Sequence, residues 1–245
     1  MAGRFMSQVT RFGSLVSIVA LGLALTHPES ASAQMLANPA INANPGKPLV
    51  GGGLVIQKLS YKYENVSANM DRKVLYGEVG FAINPKFDLY GQLGFAFNSA
   101  ISDFDVTGSG YMFGFGPRFM PFASKTMKVE GYGLVNITND EMKSDAGAID
   151  VKLEQEMTDI HLGSTVTYFA APSARPYAGL DAILSSTGKI KSKAGNIAVS
   201  NTKVEREQKL ALRLGANFPL GTIGFRPELI LAGEKTIVLS LYSAM

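Results

Sequence analysis

Residues 87 to 97, FDLYGQLGFAF, alternate without a break: Phe87, Leu89, Gly91, Leu93, Phe95 and Phe97 share one parity, and Asp88, Tyr90, Gln92, Gly94 and Ala96 share the other. A period of two sends successive side chains to opposite faces of a β-strand, so this segment has one apolar face and one polar or small face. Its length is equally informative, because a strand tilted by about 45° needs roughly 9 to 11 residues to cross the hydrocarbon layer of a bilayer.

The chain of 245 residues is 46% hydrophobic, with a mean hydropathy of +0.12. Beyond the N-terminus no run reaches the roughly 18 apolar residues of a membrane helix. The hydrophobicity therefore sits in alternating segments. An all-β fold follows, a closed antiparallel up-and-down transmembrane β-barrel, because lipid tolerates no open sheet edge. Cysteine is absent, which excludes disulfides and thiolate chemistry. A net charge of +3 is too weak a bias to imply nucleic acid as a partner.

Residues 1 to 33 read as a secretory signal peptide. Arg4 and Arg11 form the basic end, Leu15 to Leu25 the apolar run, and Ala31-Ser32-Ala33 the small-residue cleavage site. Residues 34 to 50, with Pro39, Pro45 and Pro48 among Asn and Ala, read as an extended linker on the periplasmic side. The barrel is expected over 51 to 245.

Alternation predicts strands near 52 to 63, 73 to 83, 87 to 97, 111 to 119, 128 to 138, 150 to 170, 177 to 186, 210 to 218, 223 to 232 and, after a turn at 233 to 235, through Ile237, Leu239 and Leu241. Ten strands is the expected count, with eight the alternative if a weak hairpin is misassigned. The connections alternate between short turns such as Asn84-Pro85-Lys86 and longer polar stretches at 98 to 109, 139 to 148 and 187 to 203, as transmembrane barrels do. In the sixth strand the apolar parity switches, from Val151, Leu153 and Met157 to Ile160, Leu162, Val166 and Tyr168. If odd residues point inward throughout, the lower half meets lipid while the upper half projects into water, exposing Lys152, Glu154 and Glu156. A soluble lipocalin-like barrel needs a polar face dense in Lys and Glu; Gly, Ala, Tyr, Gln and Asn occupy that face instead. Tyr61, Tyr63, Tyr111 and Tyr168 are candidates for interfacial aromatic girdles.

Strand parity points Glu78, Asp88, Arg118, Glu130, Asp159, Asp181, Arg213, Arg226 and Glu228 into the lumen. Buried charges persist when paired and hydrogen-bonded, so a cross-strand ionic network is expected there. Arg213 has Ala211 and Gly215 beside it on the same face, which leaves room for its guanidinium to reach Asp181 and Glu228. Lys189, Lys191, Lys193 and Lys203 crowd the longest polar stretch and are candidate lipopolysaccharide contacts. With the signal peptide removed, His161 is the remaining histidine, and Ser164 lies three residues away on the opposite face of its strand. No catalytic pair, cofactor motif or metal-ligand spacing is legible. The acidic residues Asp140, Glu141, Asp145 and Asp150 lack a calcium-loop pattern.

The signal peptide, the FDLYGQLGFAF strand, its counterpart YMFGFGPRFM at 111 to 120 and the alternation of loops resemble small bacterial outer-membrane β-barrels of the OmpA-transmembrane, OmpX and opacity-protein kind, over roughly residues 52 to 243. Such proteins commonly end in an aromatic residue, whereas Ser-Ala-Met follows Tyr242 here. The resemblance implies export to the bacterial outer membrane, insertion by the barrel-assembly machinery, contact with outer-membrane lipids and lipopolysaccharide, and a monomer without cofactors. Three functions are compatible. The leading one is a non-enzymatic barrel with a structural or surface-interaction role and a largely plugged, charge-networked lumen. A narrow porin-like channel is second, and a membrane-embedded lipid hydrolase third.

Overall fold

The computed structural model describes residues 48–101, 105–144, 151–169, 173–194, 197–207, 209–231 and 235–244. The segments read as signal peptide, 1 to 33, and as linker, up to residue 47, lie outside them. The first strand takes up the last two residues assigned to that linker.

Eleven strand segments make one antiparallel sheet: β1 (Leu49–Tyr63), β2 (Val66–Asn84), β3 (Phe87–Ile101), β4 (Val106–Ala123), β5 (Met127–Ser144), β6 (Val151–Tyr168), β7 (Arg175–Ala194), β8 (Ile197–Arg206), β9 (Leu210–Leu220), β10 (Ile223–Leu231) and β11 (Lys235–Ala244). The sheet closes because β11 pairs with β1, from Leu49 opposite Ala244 to Lys58 opposite Lys235. Toward the end that carries Leu49 and Ala244, called lower here, the ring has ten strands, β1 to β7 and β9 to β11.

Toward the upper end the ring changes. The β10–β11 hairpin stops at Leu231 and Lys235, whereas β1 continues to Tyr63. There β8 stands between β7 and β1, pairing Gly188 with Val204 on one side and Tyr61, Lys62 and Tyr63 with Arg206, Glu205 and Val204 on the other. Backbone bonds from Glu64 N to Lys203 O and from Glu207 N to Ser60 O extend that seam. A ten-stranded barrel is thus capped by an eight-stranded one made of β1 to β8. Both expected strand counts occur, at different heights.

The outer surface shows why. Along β2 the inward parity never changes: Ala68, Met70, Arg72, Val74, Tyr76, Glu78 and Gly80 are all buried. The outward residues run Ser67, Asn69, Asp71 and Lys73, then Leu75, Val79, Phe81 and Ile83. Leu75 is 61% and Leu93 65% exposed, and similarly exposed Phe, Leu and Ile residues ring the lower barrel on every strand from β2 to β4 and from β9 to β11. A soluble surface does not carry such a continuous belt; a hydrocarbon layer requires it. β6 follows the same rule, with Leu153, Met157, Asp159 and His161 buried and Ile160 and Leu162 exposed. Its parity switch is a change of surroundings. The register shift at that height lies opposite, where Leu184 of β7 has no partner between Ser185 and Ile183.

Because the upper walls stand in water, they read as polar loops by composition. Several stretches assigned to loops are strand instead: β3 runs to Ile101, β4 begins at Val106, β5 continues to Ser144, and residues 187 to 203 form most of the β7–β8 ribbon. Their inward residues build an apolar core under the cap, in which Leu59, Tyr61, Tyr63, Met70, Ile101, Met142, Met157 and Val204 pack together. Tyr61 and Tyr63 therefore lie inside the cap and belong to no girdle. Tyr111, 53% exposed, does face outward.

Candidate functional site in the lumen

Below the apolar cap, charged and apolar layers alternate across the lumen. Parity fixes their order. Arg72 follows Met70 of the cap core and precedes Val74 of the next apolar layer, so its pair with Asp140, 3.1 Å away, lies between them. Ser99 donates to Asp140 at 2.7 Å. At the same height Arg206 reaches Asp159 at 3.3 Å and lies over the Tyr61 ring, 4.4 Å from its centroid. Next come Val55, Val74, Tyr76, Met112, Ile230 and Val238, all buried.

The central charged layer is built around Arg213. Its guanidinium donates to Glu228 and lies 3.6 Å from Asp181. Glu228 also accepts from the Tyr177 hydroxyl at 2.6 Å. Tyr177 stands on β7 and Glu228 on β10, so the ring must cross β9, and it does so over Gly215, where an added Cβ would touch it. The space that glycine provides beside Arg213 is thus used by a neighbouring tyrosine. Gly215→Ala is expected to displace Tyr177 and cost about 1 to 3 kcal/mol by overpacking. Denaturant unfolding of the variant in detergent checks it, and an unchanged midpoint would show that the ring has another way across.

On the neighbouring wall Arg226 donates to the Tyr76 hydroxyl at 2.8 Å and to Glu78 at 3.5 Å. Lower still, Arg118 forms a two-pronged pair with Asp88, from Nε at 2.9 Å and Nη2 at 2.6 Å. It approaches Glu130 to 4.0 Å, and Lys128 holds that carboxylate at 2.9 Å. A guanidinium fork matches a carboxylate in plane, which makes this geometry stronger than a point-charge contact.

All nine lumen charges named from parity are buried. The structure assembles Arg213 with Asp181 and Glu228, Arg226 with Glu78, and Arg118 with Asp88 and Glu130. Asp159 joins none of these and pairs with Arg206 instead. Four charged residues escaped the sequence reading: Arg72, Lys128, Asp140 and Arg206. Lys128 opens the fifth expected strand with the inward parity of Glu130, and extending the second and fifth strands by one or two residues finds Arg72 and Asp140. Arg206 follows a stretch read as loop, and no local signal marks it. Counting these, the buried lumen among the described residues holds six cations and seven carboxylates besides His161.

His161 is buried with Nδ1 3.7 Å from Asp181, while Ser164 is exposed on the outer face of the same strand. The wall separates the two, so they form no nucleophile and base pair. Among the described residues no cluster of His, Cys, Asp and Glu has the geometry of a metal site. Asp140 is inward and paired with Arg72, while Asp145 and Asp150 lie outside the described residues.

The four lysines assigned to a loop stand on the outer face of the β7–β8 ribbon, and each has a carboxylate. Lys189 and Lys191 share Glu156 at 2.9 and 3.1 Å, Lys193 reaches Glu154 at 3.4 Å, and Lys203 contacts Glu205. Lys152 bridges Glu141 and Glu154 at 3.0 and 3.2 Å. Hydrogen bonds from these ammonium groups hold Glu154, Glu156 and Glu205 below the usual carboxylate range and push Lys152 up. The ladder leaves little free charge for a phosphate.

No protein-family model matches the chain, and no curated protein matches it in sequence. Solved structures do. The fold is similar to that of the outer membrane protease OmpT from Escherichia coli, with a TM-score of 0.60 and 8% identity over 87% of this chain and 100% of that one. It is also similar to the translocator domain of the autotransporter NalP from Neisseria meningitidis, with a TM-score of 0.54 and 10% identity over 98% of each chain. At such identities the likeness shows the fold, that of a bacterial outer-membrane β-barrel, and no activity.

Proposed function

We propose that this outer-membrane β-barrel has a structural or surface-interaction role and a lumen closed to ions. The observation that carries the reading is the pairing of opposite charges across the whole lumen, layer by layer, beneath a cap with its own apolar core. A selective pore lines its path with one sign of charge or with carbonyls and keeps a continuous opening. Among the described residues six buried cations face seven buried carboxylates, and the apolar layer of Val55, Val74, Met112 and Ile230 separates the Arg72 pair from the central charges. A ring of this size already has little free interior, since side chains fill barrels of about eight strands. The cap narrows the ring further and carries the charged outer wall away from the lipid. In this reading the chain is exported, inserted by the barrel-assembly machinery and works as a monomer, and its projecting wall is the part that meets other molecules.

Planar-bilayer recording of the refolded protein tests it. Membranes containing it are expected to stay near the baseline current, with at most brief openings. Large, steady unit conductance would replace this reading with the narrow-channel one.

A further inference from the structure

Not every surface lysine is paired. Lys58 of β1 and Lys235 of β11 are direct cross-strand partners, both exposed, and neither has a carboxylate within 4.0 Å among the described residues. Lys73 of β2 is also exposed and has no ion pair among the described residues; it stands opposite Ile56, the outward residue just below Lys58. Like charges placed directly opposite on adjacent strands repel, so this arrangement is unfavourable unless an anion sits between them. Asp71, opposite Lys58 on β2, is the nearest carboxylate in register and is partly buried. Among the described residues, three ammonium groups against one carboxylate make this patch cationic.

Its height on the barrel says what it faces. Immediately below Lys58 and Lys235 on the same outer face are Ile56 and Ile237, 41% and 46% exposed, followed by Leu239 and Leu75, which flank Leu54 of β1 from its two sides. The patch therefore crowns the apolar belt at the point where the β10–β11 hairpin ends and the cap begins. A ligand that satisfies both halves carries a phosphate on top and acyl chains below. We infer that Lys58, Lys73 and Lys235 bind the phosphate of an acylated, phosphorylated lipid of the outer leaflet, whose chains lie along Ile56, Ile237, Leu239 and Leu75. The Glu-paired lysines of β7 stand two strands away across β8 and higher on the wall, beyond the register of Tyr63, so this site is distinct from the contacts expected from sequence. The inference rests on the outer-membrane placement and is independent of whether the lumen conducts.

The test uses the full refolded chain in uncharged maltoside micelles at low salt, titrated with lipopolysaccharide, with the same material after enzymatic removal of its phosphates, and with inorganic phosphate. Lys58→Gln/Lys73→Gln/Lys235→Gln is compared with Lys189→Gln/Lys191→Gln/Lys193→Gln, and heat-modifiable gel mobility confirms that both fold. Lysines near an anionic surface contribute roughly equally, so the first variant is expected to bind lipopolysaccharide at least about tenfold more weakly. Exposed lysines already paired to carboxylates contribute little, so the second should stay within about twofold. Dephosphorylation should erase the difference. Equal binding by wild type and the first variant, or an equal loss in the second, would overturn the site. Displacement of lipopolysaccharide by inorganic phosphate alone would show a free-anion site and overturn the lipid assignment. A conducting wild type would leave all of these results standing.

Discussion

Arg213→Ala is expected to lower the unfolding free energy by about 3 to 5 kcal/mol, because it removes the cation from between two buried carboxylates and leaves both uncompensated. Asp181, Arg213 and Glu228 all have side chains almost entirely withdrawn from solvent, so water cannot take over the lost interaction. Much of that cost belongs to the stranded carboxylates. Arg213→Ala combined with Glu228→Gln should therefore cost less than the two single changes together, by about 0.5 to 3 kcal/mol. Equilibrium unfolding of the four proteins in one detergent measures the difference. Additive effects would mean that Arg213 and Glu228 are not coupled, and the central layer would lose its claim to seal the lumen.

The second large effect belongs to the cap. Tyr61 is fully buried, its ring packs beside Tyr63 at 6.1 Å between centroids, and the Arg206 guanidinium lies on its face. It also stands in the short seam that joins β1 to β8. Tyr61→Ala removes the ring and the support for a buried cation, and should cost the cap about 3 to 5 kcal/mol. The lower barrel shares few of those contacts. Proteolysis is thus expected to cut the β7–β8 ribbon in the variant while the membrane-embedded ring keeps its heat-modifiable mobility. The Tyr61 hydroxyl has no hydrogen-bond partner among the described residues, so Tyr61→Phe should leave the ribbon resistant. Nicking of the Phe variant at the Ala variant's rate would move the weight of the seam from the ring to the hydroxyl.

Much of the lumen was legible along the chain because parity is a local property. Asp88 lies next to Leu89, and Arg118 next to Phe119; alternation alone assigns each charge to the inside and each apolar neighbour to the lipid. The same rule placed Glu78, Glu130, Asp181, Arg226 and Glu228. It held on β6, where Leu153 and Met157 carry the inward parity from lipid into water, and failed on the other walls that make the same change. There the outward residues become Lys, Glu and Ser, and a strand such as 187 to 194 no longer differs in composition from a loop. The inward residues keep the period, as Met70 does on β2, but an apolar outer face is no longer there to mark them. Tyr61 and Tyr63 were misplaced for the same reason.

Which charges meet is another matter. That Arg213 has both Asp181 and Glu228 follows from the register of β9 against β7 and β10; that Asp159 belongs to Arg206 depends on the β7–β8 hairpin, which brings Arg206 across β7 to β6. The eight-stranded cap on a ten-stranded ring depends on the β10–β11 hairpin ending at Leu231 and Lys235 while β1 runs on to Tyr63, so that β8 inherits the vacant edge. Which face a residue takes is written locally in the chain, since a side chain's side of a strand follows from the alternation around it. Which residue it meets is not, because register and closure are set by all the strands around the ring at once.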